Sequence, residues 1–277
     1  MNHFSLKQIL ILICIFIFPT GFIVKTNSSV KICSWNIRDF GKTKNDAEIL
    51  FIANTITPFD IVLIQEVVAG AGGAQAVAKL NEQLNRLGDH WDFVVSDPTY
   101  GESYKTERYA FLWKTSRIAK LGNAWLEQNF KLEIDREPYY ATFQYHQKSF
   151  TLANFHAITK SKQPETEVKY FKLLPAQYPS LNLLFCGDFN LPQSHTVFIP
   201  LKRTGYLPAL TGQKTSLKKT CKETDCLASE FDNIFYNKEK IIALSAGIIP
   251  FYKSFETLQS ALMISDHVPI YFEFEVK

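Results

Sequence analysis

Short apolar segments rich in β-branched and aromatic residues recur along the whole chain and are separated by polar stretches. Their lengths and composition are typical of β-strands. The pattern predicts strands at residues 30–35, 61–64, 93–95, 109–113, 139–145, 150–155, 181–186, 234–236, 241–243 and 270–276.

Apolar residues with helical spacing occur in fewer places. The clearest stripe runs through residues 74–87 and ends at Gly88, and a second lies at 46–57. A third candidate helix spans 165–174, directly after Pro164. Many strands with a few interspersed helices predict two packed sheets with helices on their outer faces.

The bulk composition limits the number of domains and the class of partner. A chain of 277 residues with 46% hydrophobic content can bury one large core, and no break in composition divides it. We therefore predict one folded domain over residues 28–277. The formal net charge of +3 is too small to indicate a nucleic-acid binder by itself, so any basic surface must be local.

Residues 1–27 predict a signal peptide or an N-terminal anchor. Lys7 precedes an apolar run at residues 9–18, which Pro19 and Gly21 interrupt. The run has the length of a signal-peptide core and falls short of a membrane span. Because no clear cleavage site follows, cleavage stays open, and a buried core helix is the alternative. We expect a protein that is secreted, periplasmic or anchored by this segment.

Export would give the cysteines a structural role. Cys221 and Cys226 frame a polar loop and would close a small disulfide-linked ring in an oxidising compartment. Cys33 and Cys186 lie within apolar runs and are expected to be small buried residues. Zinc is not favoured, because no second pair of cysteines or histidines has ligand spacing.

Polar residues that could bind a metal or move a proton stand at the ends of six apolar runs. An unpaired carboxylate is costly to bury, so these residues must be paired, metal-bound or at a rim. Oxygen-rich ligands favour Mg²⁺, Mn²⁺ or Ca²⁺ over zinc, and two histidines beside carboxylates can serve as acid and base. The set predicts metal-dependent hydrolysis of a phosphate ester. Its members are Asn36, Glu66, His156, Asp188, Asn190, Asp232, Asn233, Asp266 and His267.

Eight short segments also occur in a characteristic order from about residue 30 to the C-terminus. They read SWNIR at 34–38, DIVLIQEV at 60–67, SYKTERY at 103–109, REP at 136–138, NFHA at 154–157, GDFN at 187–190, FDNI at 231–234 and SDHVP at 265–269. This ordered set resembles the endonuclease/exonuclease/phosphatase superfamily, and within it most of all the deoxyribonuclease I branch. The resemblance implies an α/β fold of the α+β type. Its form would be a four-layer αββα sandwich of two mixed, largely antiparallel sheets flanked by helices, with the active site at one rim.

The resemblance also implies roles for individual residues. The metal-coordinating positions are Asn36, Glu66, Asp188 and Asp266, with Mg²⁺ as the expected ion and Mn²⁺ or Ca²⁺ as alternatives. The catalytic positions are His156, His267, Glu107, Asp232, Asp188 and Asn190. The substrate-binding positions are Arg38, Tyr104, Arg136 and Asn190. In the implied mechanism, His267, steadied by Asp232, activates water for in-line attack on a phosphodiester, while metal and His156 stabilise charge.

Four departures from the deoxyribonuclease I pattern bear on substrate choice. Val68 stands where that branch has an arginine that enters the DNA minor groove. Thr106 is an additional residue within its motif, and Phe231 and Asn233 replace a tyrosine and an arginine. DNA binding is therefore expected to depend mainly on phosphate contacts.

Three functions remain open on this basis. The leading prediction is a secreted, divalent-metal-dependent DNA endonuclease of low sequence specificity, monomeric, without a stable protein partner, and with membrane contact only through an uncleaved N-terminus. A phospholipid phosphodiesterase resembling sphingomyelinases, or a phosphoinositide phosphatase, would use the same metal and histidines. A nuclease-like toxin subunit that acts through a protein partner is the third. An inactive binding module is not favoured, because no metal or histidine position is missing.

Overall fold

The fold is described from a computed structural model that covers residues 28–101, 106–222 and 225–277. The predicted signal or anchor at 1–27 and the substrate-binding candidate Tyr104 lie outside these residues. Within the described residues, no helix is both long and apolar enough to cross a membrane.

The described residues form fourteen strands and six α-helices. The strands are β1 (Val30–Phe40), β2 (Ile61–Val68), β3 (Trp91–Val95), β4 (Glu107–Lys114), β5 (Ala119–Leu126), β6 (Tyr139–Tyr145), β7 (Lys148–His156), β8 (Leu183–Asp188), β9 (Tyr206–Pro208), β10 (Leu217–Lys222), β11 (Asp225–Leu227), β12 (Asp232–Asn237), β13 (Ile241–Ile248) and β14 (Ile270–Val276). The helices are α1 (Asp46–Ile56), α2 (Ala71–Arg86), α3 (Glu165–Val168), α4 (Leu174–Gln177), α5 (Ile199–Arg203) and α6 (Leu258–Ile264).

Twelve of these strands build two six-stranded sheets. The first sheet has the order β13-β14-β1-β2-β4-β3 and the second the order β5-β6-β7-β8-β12-β9. Both are largely antiparallel, with one parallel pair in each, β1–β2 and β7–β8. This confirms the predicted architecture of two mixed, largely antiparallel sheets.

Three apolar clusters hold the layers together. Between the sheets, side chains of the first sheet such as Phe111 pack with side chains of the second such as Leu152. Helices α1 and α2 cover the outer face of the first sheet, where Ile52 and Leu80 are buried. On the outer face of the second sheet, Phe171 packs beside the strand residues. The four-layer αββα arrangement follows from two sheets that are apolar on both faces.

The predicted helix at 165–174 is interrupted in the structure. It consists of α3, a 3₁₀ turn at Lys169–Lys172 and α4. Pro175 stands near the start of α4, where it has no N–H to donate to the preceding turn. A continuous helix through this proline would lose a hydrogen bond and clash, so the segment divides into short turns.

Strands β10 and β11 pair as an antiparallel ribbon. A disulfide joins Cys221 of β10 to Cys226 of β11. The predicted disulfide is thus confirmed. Cys33 and Cys186 are free and fully buried, as expected.

Candidate active site

A cleft of about 760 Å³ opens at one end of the two sheets, where the predicted site residues meet. The carboxyl ends of β1, β2, β7 and β8 reach this end, as do the first residues of β4 and β12. Eight of the predicted residues line the cleft: Glu66, Glu107, Arg136, His156, Asp188, Asn190, Asp266 and His267. Strand ends therefore bring together residues that are up to 201 positions apart (from 66 to 267) in the chain.

Two of these residues have a left-handed backbone, which is uncommon for residues other than glycine. Glu66 has φ 59° and Asn190 has φ 52°. Glu66 follows the last regular pair of β2 and β4, Ile64 with Ala110, beyond which the register shifts. Bulges of this kind turn a side chain away from its regular direction, and strained backbone is concentrated at functional sites.

The first carboxylate–imidazole pair is Asp232 with His267. Asp232 Oδ2 accepts a hydrogen bond from His267 Nδ1 at 2.7 Å, and both side chains are buried. In the neutral ring with Nδ1 protonated, Nε2 on the cleft side is the proton acceptor. Burial opposes a charge on His267, but the carboxylates of Asp232 and Asp188 outweigh it and raise the pKa of His267 well above its usual value.

The second pair is Glu107 with His156. Nδ1 of His156 lies 3.0 Å from Glu107 Oε2 and 3.1 Å from Oε1. Burial and the nearby Arg136 work against protonation, yet Glu107 and Asp188 prevail and raise the pKa of His156. Conversely, although burial would raise it, the pKa of Glu107 is lowered by His156 and Arg136. This imidazole is therefore held in one orientation, with Nε2 towards the cleft.

The two pairs converge on a single carboxylate oxygen, Asp188 Oδ2. Nε2 of His156 lies 3.5 Å from it and Nε2 of His267 lies 3.6 Å from it. The other oxygen of Asp188 accepts a hydrogen bond from the Asn190 backbone N–H at 2.9 Å. Asp188 is 1% exposed, so this charge is shielded from bulk water and must be balanced by groups within the cleft.

Oxygen atoms suited to a hard metal ion lie beside this point. The amide nitrogen of Asn36 donates to Glu66 Oε1 at 2.9 Å and to Asp188 Oδ2 at 3.2 Å, so both carboxylates lie near one atom. Buried Asn36 Oδ1 has no hydrogen-bond partner among the described residues. Two carboxylates with an unsatisfied buried acceptor close by fit a divalent cation such as Mg²⁺. Glu66 and Asp188 would hold the ion, and the ligand roles of Asn36 and Asp266 stay predictions.

Another arrangement of ligand atoms is less suitable. Asp188, Asp232 and His267 offer ligand atoms within 4.8 Å of one another. However, Asp232 Oδ2 and His267 Nδ1 already form a 2.7 Å hydrogen bond. An ion at that position would have to break this bond and remove the orientation of the imidazole.

The remaining predicted residues differ in how directly they reach the cleft. Asp266 is half-buried and lines it beside His267. Arg136 also lines it, but its guanidinium donates to Glu107 Oε2 at 2.9 Å and to the carbonyl of Ala157. It is therefore engaged in holding the Glu107–His156 pair. Arg38 lies in an adjoining groove of about 650 Å³, outside the cleft itself.

Several supporting residues escaped the sequence analysis. Thr215 Oγ1 accepts hydrogen bonds from the backbone N–H groups of Phe231 and Asp232. Ser265 Oγ donates to the carbonyl of Asn36 and accepts from the N–H of His267. The ammonium of Lys44 donates to the carbonyls of residues 263 and 264 at the end of α6. Ser265 lies within a recognised motif, whereas neither Thr215 nor Lys44 has a signal in the sequence.

Comparisons with known proteins agree with this fold. The sequence profile of the Endonuclease/Exonuclease/phosphatase family matches residues 33–267. A deoxyribonuclease of Thioalkalivibrio sp. (strain K90mix) is 27% identical over 271 residues, which are 90% of this chain and 72% of that protein. Deoxyribonuclease-1 of Bos taurus is 29% identical over 262 residues, covering 87% of this chain and 91% of its own.

Solved structures show the same fold at lower sequence identity. The catalytic domain of human Nocturnin superimposes with a TM-score of 0.65 at 15% identity, over 90% of this chain and 95% of that domain. An endonuclease/exonuclease/phosphatase protein of Bacteroides vulgatus gives a TM-score of 0.66 at 16% identity, over 90% of this chain and 99% of that one. The chain belongs to the endonuclease/exonuclease/phosphatase family, in its deoxyribonuclease I-like branch. It is accordingly an enzyme that hydrolyses phosphodiester bonds.

Proposed function

We propose that the protein is a secreted, divalent-metal-dependent DNA endonuclease with little sequence preference. The observation that carries this proposal is the convergence of two carboxylate-oriented imidazoles on Asp188 Oδ2, at 3.5 and 3.6 Å. This places a proton acceptor and a second imidazole around one position that a phosphate could occupy. The relatives named deoxyribonuclease direct the substrate proposal towards DNA.

The proposed reaction is in-line attack of water on a phosphodiester. Nε2 of His267 accepts the proton of the attacking water, and Asp232 stabilises the resulting imidazolium through Nδ1. The P–O bond opposite the water breaks, and the sugar oxygen leaves with the bonding electrons and takes up a proton from solvent. His156, held by Glu107, faces the phosphoryl oxygens from the other side of Asp188.

Two further groups complete the proposed site. Asn190 donates one amide N–H to the carbonyl of Ala157 at 3.0 Å, and its other N–H is available to a phosphate oxygen. A divalent cation held by Glu66 and Asp188 would neutralise charge on the phosphate. Without such an ion the cleft would repel DNA, since its lining carries the acids Asp39, Glu66, Glu107, Asp135, Asp188 and Asp266.

The surroundings of the cleft favour a water-soluble polymer over a lipid. Among the described residues that line it, Val68 is the one large apolar side chain that is exposed. An enzyme that works on a bilayer needs an apolar or strongly basic surface around its site to bind the interface. The cationic side chains among the described residues of the lining are few and include Arg136 and Lys162. Arg136 already donates a hydrogen bond to Glu107.

Secretion is proposed on two features of the chain. The apolar run at 9–18 has the length of a signal-peptide core. The Cys221–Cys226 disulfide is of the kind that persists in oxidising compartments.

A parallel assay on three substrate classes tests the proposed function. The purified protein is incubated with Mg²⁺ and supercoiled plasmid, sphingomyelin vesicles or phosphoinositide vesicles. We expect nicked plasmid in the presence of Mg²⁺, none after chelation with EDTA, and little release of lipid products. Faster hydrolysis of sphingomyelin than of plasmid would replace the DNA proposal with the lipid one. Plasmid nicking that continues in EDTA would contradict the proposed dependence on a divalent metal ion.

The substitution Val68→Arg should strengthen binding to duplex DNA. Val68 is 40% exposed and borders both the cleft and the groove that contains Arg38 and Lys42. An arginine there adds a cation that can enter a DNA groove or contact phosphates. The unmodified protein should lose activity steeply between low and physiological salt, and the variant should keep more of it.

The matched control is Val68→Gln, which lengthens the side chain without adding charge. Plasmid nicking and duplex affinity are measured for the three proteins across a salt series. If the arginine and glutamine variants respond alike, the effect is not electrostatic, and the proposed position of DNA along Val68 is wrong.

A further inference from the structure

The candidate site is divided between the two sheets. Glu66 and Glu107 belong to the first sheet, whereas His156 and Asp188 belong to the second. The contacts of Asn36 with Asp188 and of Glu107 with His156 therefore cross from one sheet to the other. The separation of the ligands depends on how the two sheets are placed against each other.

A buried polar contact joins the sheets directly below this layer. Gln65 of β2 donates from Nε2 to Asn154 Oδ1 of β7 at 2.5 Å and to Ser34 Oγ at 3.0 Å. Gln65 and Asn154 are both fully buried. Polar amides in an otherwise apolar inter-sheet core are costly unless they hydrogen-bond, so their presence needs a reason.

The remaining bonds of Asn154 point to that reason. Its Nδ2 donates to the carbonyl of Ile64 at 3.1 Å and to the carbonyl of Ala110 at 3.2 Å. Ile64 and Ala110 face each other as the last regular pair of β2 and β4 before the register shifts. The side chain of Asn154 in the second sheet thus hydrogen-bonds to β2 and to β4 of the first sheet, next to the bulge in β2.

Glu66 lies immediately beyond this point. Its φ of 59° is a strained conformation that persists only where the surrounding structure enforces it. Asn154 and Gln65 make four hydrogen bonds next to Glu66, two of them from Asn154 to the backbone carbonyls of Ile64 and Ala110. His156 follows two residues after Asn154 on the same strand.

We propose that Asn154 and Gln65 form an inter-sheet amide clamp that holds the β2 bulge and so positions the Glu66 carboxylate relative to Asp188. Both are positioning residues, since neither lines the cleft. The inference rests on the proposed metal site, because its consequence is a ligand geometry ready to bind the ion. Outer residues of this kind commonly change metal affinity by about 10–100-fold.

The test compares Asn154→Leu with a matched variant on the same strand. Thr151 is also buried, and its hydroxyl lies 2.9 Å from that of Thr142 on the neighbouring strand of the same sheet. Thr151→Val therefore loses a part-buried hydrogen bond that does not cross between the sheets. Binding of Mn²⁺ to each purified protein is followed by the electron paramagnetic resonance signal of the free ion, and thermal unfolding reports stability.

We expect Asn154→Leu to weaken Mn²⁺ binding about 10-fold or more, while Thr151→Val binds like the unmodified protein despite a loss of stability. The Mg²⁺ concentration for half-maximal plasmid nicking should rise in parallel. Equal Mn²⁺ affinity in all three proteins, or an equal loss in both variants, would overturn the clamp. If the unmodified protein binds no Mn²⁺, the proposed metal site is wrong. If it binds Mn²⁺ and the comparison with the variants fails, only the clamp is wrong.

A second variant covers the case in which Asn154→Leu does not fold. Gln65→Met removes the amide that donates to Asn154 while leaving both bonds from Asn154 Nδ2 to the carbonyls of Ile64 and Ala110. A smaller weakening of Mn²⁺ binding is expected, in the same direction. Unchanged affinity in a folded Gln65→Met protein would overturn the role of Gln65 and with it the clamp.

Discussion

Replacement of His267 with alanine should reduce plasmid nicking by roughly 10²–10⁴-fold, the usual effect of removing a general base. Nε2 of His267 is the proposed proton acceptor, while His156 is proposed to face the phosphoryl oxygens from the other side of Asp188. The measurement is the initial rate of nicking at saturating Mg²⁺. A folded variant that keeps more than about a tenth of the activity would contradict this role.

Two further variants separate chemistry from folding. Without the imidazole, Asp232 is left as a buried carboxylate, which can lower the free energy of unfolding. His267→Gln restores an amide that can donate to Asp232 but cannot accept a proton, so it should be stable and equally inactive. His90→Ala, at an exposed histidine, should leave the rate unchanged. Circular dichroism and thermal unfolding show whether each variant is folded.

The substitution Asp188→Asn should cost at least about 10²-fold in rate, as expected for the loss of a preorganised charge at a reacting centre. It keeps the shape of the side chain, yet it removes the negative charge on which both Nε2 atoms and the amide of Asn36 converge. Because a proposed metal ligand is weakened, Mn²⁺ binding should fall as well. Raising the Mg²⁺ concentration should restore little of the activity.

The control is Asp92→Asn, the same chemical change at an exposed aspartate of β3. It should alter neither the nicking rate nor Mn²⁺ affinity. An Asp188→Asn protein with near-normal Mn²⁺ affinity would mean that the ion is held elsewhere, and Glu66 together with Asp266 would be the next set to test.

Strand positions were predictable where burial demands an apolar pattern. Central strands such as β2 and β7 are buried on both faces, so continuous runs of apolar residues predict them. The edge strand β5 was missed because it is mostly exposed and half-exposed, and β9 because three residues are too few for a pattern. An edge needs less apolar surface than a centre, so sequence patterns report it poorly.

The sequence by itself determined the candidate residues for the chemistry. Carboxylates, amides and histidines at the ends of apolar runs, in the order of a known family, predicted seven of the eighteen residues that line the cleft, because neighbouring strands of each sheet end on the same side. The contacts of some of these residues could not be predicted from the sequence. Only the tertiary structure shows that Arg136 binds Glu107 and the carbonyl of Ala157. It also shows that the Asn36 amide nitrogen donates to the carboxylates of Glu66 and Asp188.

The tertiary structure alone also decided the distances on which the mechanism depends. His156 and Asp188 are register partners on neighbouring strands of the second sheet, whereas His267, just before β14 of the first sheet, meets Asp188 because of how the two sheets pack. The clamp of Asn154 and Gln65 lies at that interface. Thr215 supports Asp232 from a segment that carries no motif. Side-chain chemistry is a local property that a sequence states directly, whereas convergence across two sheets follows from packing contacts between residues far apart in the chain.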